Sequence, residues 1–594
     1  MVVALAAALT LPWLSRPFHT RGEPREALVA QAMLTTGNWI SPPAYDGAVP
    51  SKPPFSHWLI ALASLPGGEV TETTARLPSA LAVIFFSGAF FLFLAARVSL
   101  EVASVTSLVL LASSEWFRSA STCRVDTLLA TSMAGALVAF YCWWERSYRG
   151  IPWLAITLTA CAALTKGPVG VVLPLGLFGF FCWARVSFSV KALPGIVGRS
   201  FMICVPVVAI ASLWYVLGYL ERGDAFLQKI RYENFERFTS SMADEPHKHS
   251  SFYLLGMLML GIAPWSLCFV PVCVRQSIRN WRGIRNWRGI RNWRGIRNWR
   301  GVRNWWTQRA RSSKLQVWWH EQSSLYQFSW VVTLGILLFF CVPSSKRSVY
   351  LLPAYPFIAL LLESALRRLA HSNAWALLLV QRCLVVCVLV ACVLAASVLA
   401  ATVLVASVSE LAPAALGRFF TSNAGFSLDW SALLASMTAI KVLATMLIVV
   451  LLGTALSETL QEILREPVAR LAITVVCCVA VMSFFVYDVV AWQLSPKRWV
   501  YGEALQRALE VQPPPKLLSY GSEAYGASFY LRRSFSRAES GAVPVGSLIF
   551  IEQRKLAQLS AHVPYKLEEI ARYSPGLGSS GRNVVVVRVR EADS

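Results

Sequence analysis

LAVIFFSGAFFLFLAA, residues 81 to 96, carries no charged side chain. It is one of several apolar runs. MICVPVVAIASLWYVLGYL (202–220) is likewise uncharged, and LLLVQRCLVVCVLVACVLAASVLAATVLVA (377–406) and LAITVVCCVAVMSFFVYDVVAW (471–492) carry one charge each, Arg382 and Asp488. Crossing a bilayer as a helix takes roughly 20 apolar residues, and these runs reach or approach that length. The composition agrees. Mean hydropathy is +0.52, and only 15% of residues are charged, where soluble domains carry about 25%. The chain reads as a polytopic α-helical membrane protein.

A net charge of +23 raises the question of nucleic acid, and its distribution argues against that partner. Residues 275 to 314 hold twelve arginines, one lysine and no acid, including IRNWRG in tandem over 278–301. A six-residue Arg/Trp period matches no solenoid or nucleic-acid module. Arg and Trp are residues of the membrane interface, so this loop reads as a tandem expansion lying on anionic headgroups. The thirteen cysteines lie in or beside apolar runs and none follows Cys478, which leaves the tail without disulfides or Cys-based metal spacing. The first apolar run, residues 2–14, lacks the basic flank and small-residue site of a cleavable signal.

Positive charge marks the cytoplasmic side of a membrane protein. ERSYRG (145–150), ARVSFSVK (184–191), the Arg/Trp loop (275–325) and RRLAHS (367–372) therefore face inward. Residues 16–52, 221–250, 343–348, 408–432 and a tail over 495–594 then face outward. Parity under that rule gives about thirteen spans over residues 1–494 if the segment 102–117 dips only partway. The tail alternates β-rich runs (KLLSY, GSLIFIE, NVVVVRVR) with Gly/Ser/Pro turns, as in a small α/β domain. In the first loop, RGEPREALVAQAMLTTGNW (21–39) predicts an interfacial helix, with Glu23 as N-cap, Pro24 at the first helical position and an end near Gly37.

Polar groups collect at the outward side: Glu23, Arg25, Glu26 and Lys52 from the first loop, Arg124 and Asp126 in TCRVDTLL, and Lys166 in ALTKGPVG. His247 and His249 in DEPHKHSSFY, and Lys346, Arg347 and Tyr350 in PSSKRSVYLLPAYP, join them. Charges at membrane depth are costly and usually functional. Several cations with few acids point to an anion such as phosphate. Plainer readings exist: Lys52 as a snorkelling anchor, Asp126 paired with Arg124 or a neighbouring helix, Glu23 as a cap, and the two histidines as loop residues.

The order of GEPREALVAQAMLTTGNWISPPAYDGAVPSKPPFSHWLIALA, CRVDTLLA, LTKGPVGVVLP, ENFERF…HKHSSFY and SSKRSVYLLPAYP resembles bacterial glycosyltransferase family 39. That family includes the 4-amino-4-deoxy-L-arabinose lipid A transferases and is related to the protein O-mannosyltransferases of the GT-C superfamily. The likeness covers roughly residues 10 to 365. It implies a polyprenyl-phosphate sugar donor, a lipid or protein acceptor, and transfer on the outer face of a bacterial inner membrane, by inverting displacement. Arg25, Lys52, Lys346 and Arg347 would bind the donor phosphate. Arg124, Asp126, Lys166 and Tyr350 would line the sugar and acceptor pocket, and Glu23 or Glu26 would act as base. His247 and His249 would hold a divalent metal.

Two positions depart from the family. Gly22 stands where its first loop carries an essential Asp, and Ser51 where a Glu precedes the loop lysine and helps hold metal. A non-catalytic membrane relative and a transporter or flippase of lipid-linked sugars are the alternatives.

Overall fold

The computed structural model describes residues 1–18, 20, 22–43, 52–232, 249–250, 252–275, 319, 321–343, 345–411, 467–484, 516–520, 525–533, 535–537, 543–562, 565–573 and 584–591. The Arg/Trp repeat, His247, Ser51, the start of the tail and residues 412–432 of the loop expected over 408–432 lie outside them. Two compact units emerge: residues 1–14, 33–42 and 49–377, and residues 15–32, 43–48 and 378–594.

The first unit is helical. It contains α1 (Val2–Thr10), α3 (Phe55–Ser64), α4 (Glu72–Ala95), α5 (Leu100–Leu111), α6 (Ser114–Ala120), α7 (Val125–Glu145), α8 (Trp153–Lys166), α9 (Val169–Arg185), α10 (Leu193–Arg222) and α11 (Asp224–Arg231). Helix α2 (Gly22–Thr36) lies between α1 and α3 in the chain. Five helices among the described residues are long and apolar enough to cross a membrane, or up to seven if each of two bent pairs counts as one span.

Helix α7 occupies the centre of this unit. Its most apolar stretch is 78% buried, whereas that of the α10 segment is only 28% buried. Large apolar side chains on α10, such as Phe201 and Leu220, point outward, as lipid-facing residues do. Around α7, stacked and tilted rings run from Phe86 and Phe90 through Phe93 to Tyr141 and Phe181. Lipid tails are as apolar as such side chains, so close packing rather than water exclusion holds the helices together.

The segment expected to dip partway is broken: α5 and α6 meet at 70°. A second break, which the continuous apolar run concealed, bends Tyr253–Gly261 against Trp265–Arg275 by 100°. The two breaks face each other. Ser114 donates its backbone N–H to the Ala263 carbonyl (3.0 Å) and its hydroxyl to the Leu260 carbonyl (2.7 Å). The Trp265 indole donates to the Val109 carbonyl (3.0 Å). Unpaired backbone groups are costly in hydrocarbon, and each break supplies partners for the other.

The connections α7–α8 and α9–α10 use one motif twice. Ser147 and Tyr148, and then Ser187 and Phe188, adopt positive φ of 53–60°. Each aromatic residue donates its N–H to the carbonyl of a tryptophan five residues back, Trp143 or Trp183. The paired rings meet edge-on at 5.0 and 5.1 Å.

The second unit carries a five-stranded sheet in the order β2-β1-β3-β5-β4, with β1 Leu517–Tyr520, β2 Ser536–Arg537, β3 Leu548–Glu552, β4 Lys566–Tyr573 and β5 Val584–Arg590. β1 pairs in parallel with β2 and β3, while β5 runs antiparallel to β3 and β4. Val585, Val587 and Val589 face a core completed by Ile549, Ile551 and Leu559. The runs KLLSY, GSLIFIE and NVVVVRVR each contain a strand. KLEEIARY also forms one, although its composition favours helix. Seven paired positions with β5 outweigh that local preference. The start of the first loop joins this unit. The Phe18 ring meets Phe529 at a tilt, centroids 4.8 Å apart, and its N–H donates to the Tyr530 hydroxyl (2.9 Å).

Candidate active site

Helix α7 begins at Val125 with Asp126 in its first turn, and α8 ends at Lys166 in its last. Each charge suits its helix end, an anion at the amino terminus and a cation at the carboxyl terminus. The helices are consecutive and antiparallel, so these ends coincide. The return through KGPVG is tight. Gly167 takes φ 74°, ψ −145°, a region open essentially to glycine, and Pro168 caps the start of α9. Gly170 lies so close to α8 that a Cβ there would collide with the Ala162 carbonyl. The two glycines fix the position of Lys166.

There, the Lys166 ammonium donates to Asp126 Oδ1 at 2.5 Å and sits 4.6 Å above the Tyr350 ring. Tyr350 is held by Phe340, centroid to centroid 4.9 Å. The Lys166 and Asp126 side chains are 28% and 14% exposed, and what exposes them is a cavity of about 410 Å³. Lys52, Pro53, Ser345 and Phe339 share its wall. Lys52 and Arg124 add positive charge within coulombic range of Asp126, and Arg347 acts likewise on Lys166. The Arg347 Nε is buried without a hydrogen-bond partner among the described residues. The sequence-predicted Lys52, Asp126, Lys166 and Tyr350 are thus brought together, with Arg124 and Arg347 in electrostatic range.

Lys346 is placed differently. It is buried, and its ammonium donates to the carbonyls of Pro343 (2.6 Å) and His249 (3.2 Å). His249 stacks on Tyr253 at 3.9 Å. Among the described residues no three His, Cys, Asp or Glu side chains converge as metal ligands, while His247 and Ser51 lie outside them.

In the first loop, the helix is α2, Gly22–Thr36, and its C-terminal end is closed by Gly37 at φ 71°. Glu23 is not the N-cap. It lies inside the first turn, and its Oε2 accepts from both the N–H and the hydroxyl of Thr20 at 3.2 Å. The Thr-x-x-Glu spacing of residues 20–23 is a capping-box signature that the Gly-Glu-Pro reading passed over. Glu26 pairs with Arg25 at 2.6 Å, and both glutamates are buried.

Two further polar residues escaped the sequence reading. Glu115 pairs with Arg118 at 2.5 Å and accepts from Ser348 at 3.1 Å. Arg76, fully buried in α4, donates to the carbonyls of Trp13 and Leu14. Arg76 stands at the head of the apolar run that follows it and Glu115 just after the run that ends at Ala112, so a charge at the edge of a run was the available signal.

Comparison with known proteins follows the same residues. A family model described as dolichyl-phosphate-mannose-protein mannosyltransferase matches residues 51–214, which include Lys52, Asp126 and Lys166. A protein of Aquifex aeolicus carrying no assigned function is 26% identical over 45% of this chain and 52% of its own. The undecaprenyl phosphate-alpha-4-amino-4-deoxy-L-arabinose arabinosyl transferase of Shewanella sediminis is 25% identical over 46% of this chain and 49% of its own. The chain thus spans about half the length of these curated relatives. The crystal structure of ArnT from Cupriavidus metallidurans bound to undecaprenyl phosphate shares the fold, with a TM-score of 0.64 at 19% identity, covering 100% of this chain and 98% of that one. These findings bear out the resemblance to GT-C glycosyltransferases similar to the arabinosyl and O-mannosyl enzymes.

Proposed function

We propose that this chain is a membrane glycosyltransferase that moves a sugar from a polyprenyl-phosphate carrier to a lipid or protein acceptor on the outer face of a bacterial inner membrane. One observation carries the reading. Lys52, Asp126 and Lys166 line a single cavity, and all three fall within the stretch matched by the family model.

In this reading about thirteen helices cross the membrane within residues 1–494, as the positive-inside pattern requires, and residues 495–594 form the extracytoplasmic domain. The contact between Phe18 of the outward first loop and Phe529 supports that side for the tail.

The chemistry asks for cations on the departing phosphate and a base for the acceptor. Lys52 takes the phosphate, with Arg25 and Arg347 as further contacts. The Arg347 Nε, lacking a described partner, suits that role better than Lys346, whose ammonium is engaged by two carbonyls. The Asp126–Lys166 pair, Arg124 and Tyr350 orient the sugar by hydrogen bonding and ring contact. The acceptor oxygen attacks the anomeric carbon and its proton passes to Glu23, with Glu26 as the second candidate. The carbon–oxygen bond to phosphate breaks, and the polyprenyl phosphate leaves with the electron pair, so configuration inverts. His247 and His249 would be the residues to hold a divalent metal.

The test uses purified protein and a labelled polyprenyl-phosphate sugar. Wild type should form product, and Lys52→Ala and Glu23→Gln should reduce it by about 100-fold or more, the scale of a lost charge or base at the reacting centre. No product from wild type with any such donor, together with movement of the donor between leaflets, would replace this reading by a transporter.

A further inference from the structure

A second and larger cavity, of about 730 Å³, runs between α4, α7 and α8 and is separate in its lining from the first. Its walls are apolar, with Phe85, Phe86, Leu128, Val138 and Leu158 among them. Its lining contains two cations, Arg146 and Arg149, and no acid. Both arginines are exposed, and neither guanidinium has an ion-pair partner among the described residues. The adjacent acid, Glu145, is already held by Arg97 at 2.5 Å.

The arginines are placed by a rigid turn. Tyr148 between them donates its N–H to the Trp143 carbonyl (2.9 Å), and the Trp143 indole donates to the Gly150 carbonyl (2.9 Å). In the sister turn after α9, Arg185 is engaged by Gln327 at 2.6 Å and offers no such free cation. From Cys142 to Leu128 the groove follows α7 for about 21 Å at the helical rise, more than one leaflet's half of a hydrocarbon core of about 30 Å. The basic end is the one that the distribution of positive charge puts at the cytoplasm.

We propose that this groove binds one anionic phospholipid of the cytosolic leaflet, with its phosphate on Arg146 and Arg149 and an acyl chain between α4, α7 and α8. Charge complementarity selects the headgroup, and the apolar walls accept the chain without selecting its chemistry. The occupant is a structural lipid rather than a reactant, because the basic end lies at the opposite end of α7 from Asp126.

Native mass spectrometry of the full chain in mild detergent tests this, with added phosphatidylglycerol or phosphatidylcholine. A basic side chain near an anionic headgroup is worth about fivefold in binding. The double variant R146A/R149A should therefore lose about 30-fold in phosphatidylglycerol adduct, with little change for phosphatidylcholine. Ala89→Phe, which fills the groove from its exposed wall, should weaken both adducts. Unaltered thermal unfolding of each variant certifies the fold. Equal retention of the two lipids by wild type, or an undiminished phosphatidylglycerol adduct in the double variant, would overturn the proposal. So would a parallel arm in which undecaprenyl phosphate binding falls in R146A/R149A but not in Lys52→Ala, because the groove would then hold the carrier's chain.

Discussion

Lys166→Met leaves Asp126 as an unbalanced carboxylate 14% exposed in a protein cavity. Breaking a fully buried pair costs about 3–5 kcal/mol. Here cavity water reaches both partners, and Lys52 and Arg124 contribute positive charge near Asp126, so the expected cost is about 2 kcal/mol. Asp126→Asn removes the carboxylate and leaves Lys166 facing Arg347 with the Tyr350 ring as its remaining attractive contact. A cation over a ring returns only about 0.5–2 kcal/mol, so this variant should lose a similar amount. The double variant Asp126→Asn/Lys166→Met removes both charges. It should be more stable than either single variant, with a coupling energy of about 2 kcal/mol. The assay is thermal unfolding at one heating rate, read by a thiol-reactive dye that reaches the buried Cys123, Cys182 and Cys268 only on unfolding. Additive single effects, or a Lys166→Met midpoint equal to wild type, would refute the argument that this pair is a structural unit.

Three other outcomes follow from local geometry. Gly170→Ala sets a methyl against the backbone of Ala162 and should cost about 2 kcal/mol, whereas Gly176→Ala, with open space around it, should be neutral or slightly stabilising; thermal midpoints of the two compare them directly. Ser147→Gly and Ser187→Gly relieve a left-handed backbone and should each stabilise by up to about 1 kcal/mol, read by the same unfolding assay. Trp265→Phe keeps the ring but removes one of two donors to the Val109 carbonyl, the Ser113 hydroxyl remaining, so it should destabilise by about 1 kcal/mol, while Trp153→Phe on an exposed face should not.

The site was legible where charge interrupted an apolar run. Lys52, Asp126 and Lys166 stand out because hydrocarbon tolerates few such groups, and K-G-P-V-G announces a tight return between helices. Which charges would meet was less legible. Arg124 is two residues from Asp126, yet Lys166, forty positions away, forms the 2.5 Å bond. That choice depends on the antiparallel pairing of α7 and α8, which sequence distance does not encode. Lys346 misled for the opposite reason. Its sequence neighbourhood is that of a free cation, but a loop carbonyl from Pro343 and another from His249 fold over it. At Glu23 the cue was present, since Thr20-x-x-Glu23 is a capping signature, and the nearby proline drew attention away from it. In the tail, β4 was hidden because Glu568 and Glu569 favour helix until β5 offers a partner.

The two broken helix pairs bear on the choice between a transferase and a transporter. Broken spans at matched positions are a mark of transporters, where half-helix ends turn their unpaired backbone groups toward substrate and ions. Here the groups at the α5–α6 break are directed at the second break. The N–H and hydroxyl of Ser114 go to the carbonyls of Ala263 and Leu260, and the Trp265 indole goes to Val109. Gly261 lets this contact close, since a side chain there would strike the Tyr355 hydroxyl. Groups engaged in this way are turned toward each other rather than toward a moving substrate, and opening the contact would leave the Ser114 N–H without this partner in hydrocarbon, at a cost of several kcal/mol. The breaks therefore act as a lock between helices. A buried polar atom without a described partner lies elsewhere, at Arg347 Nε, near the Asp126–Lys166 pair at one end of α7, where the fixed phosphate-sugar site proposed above would use it.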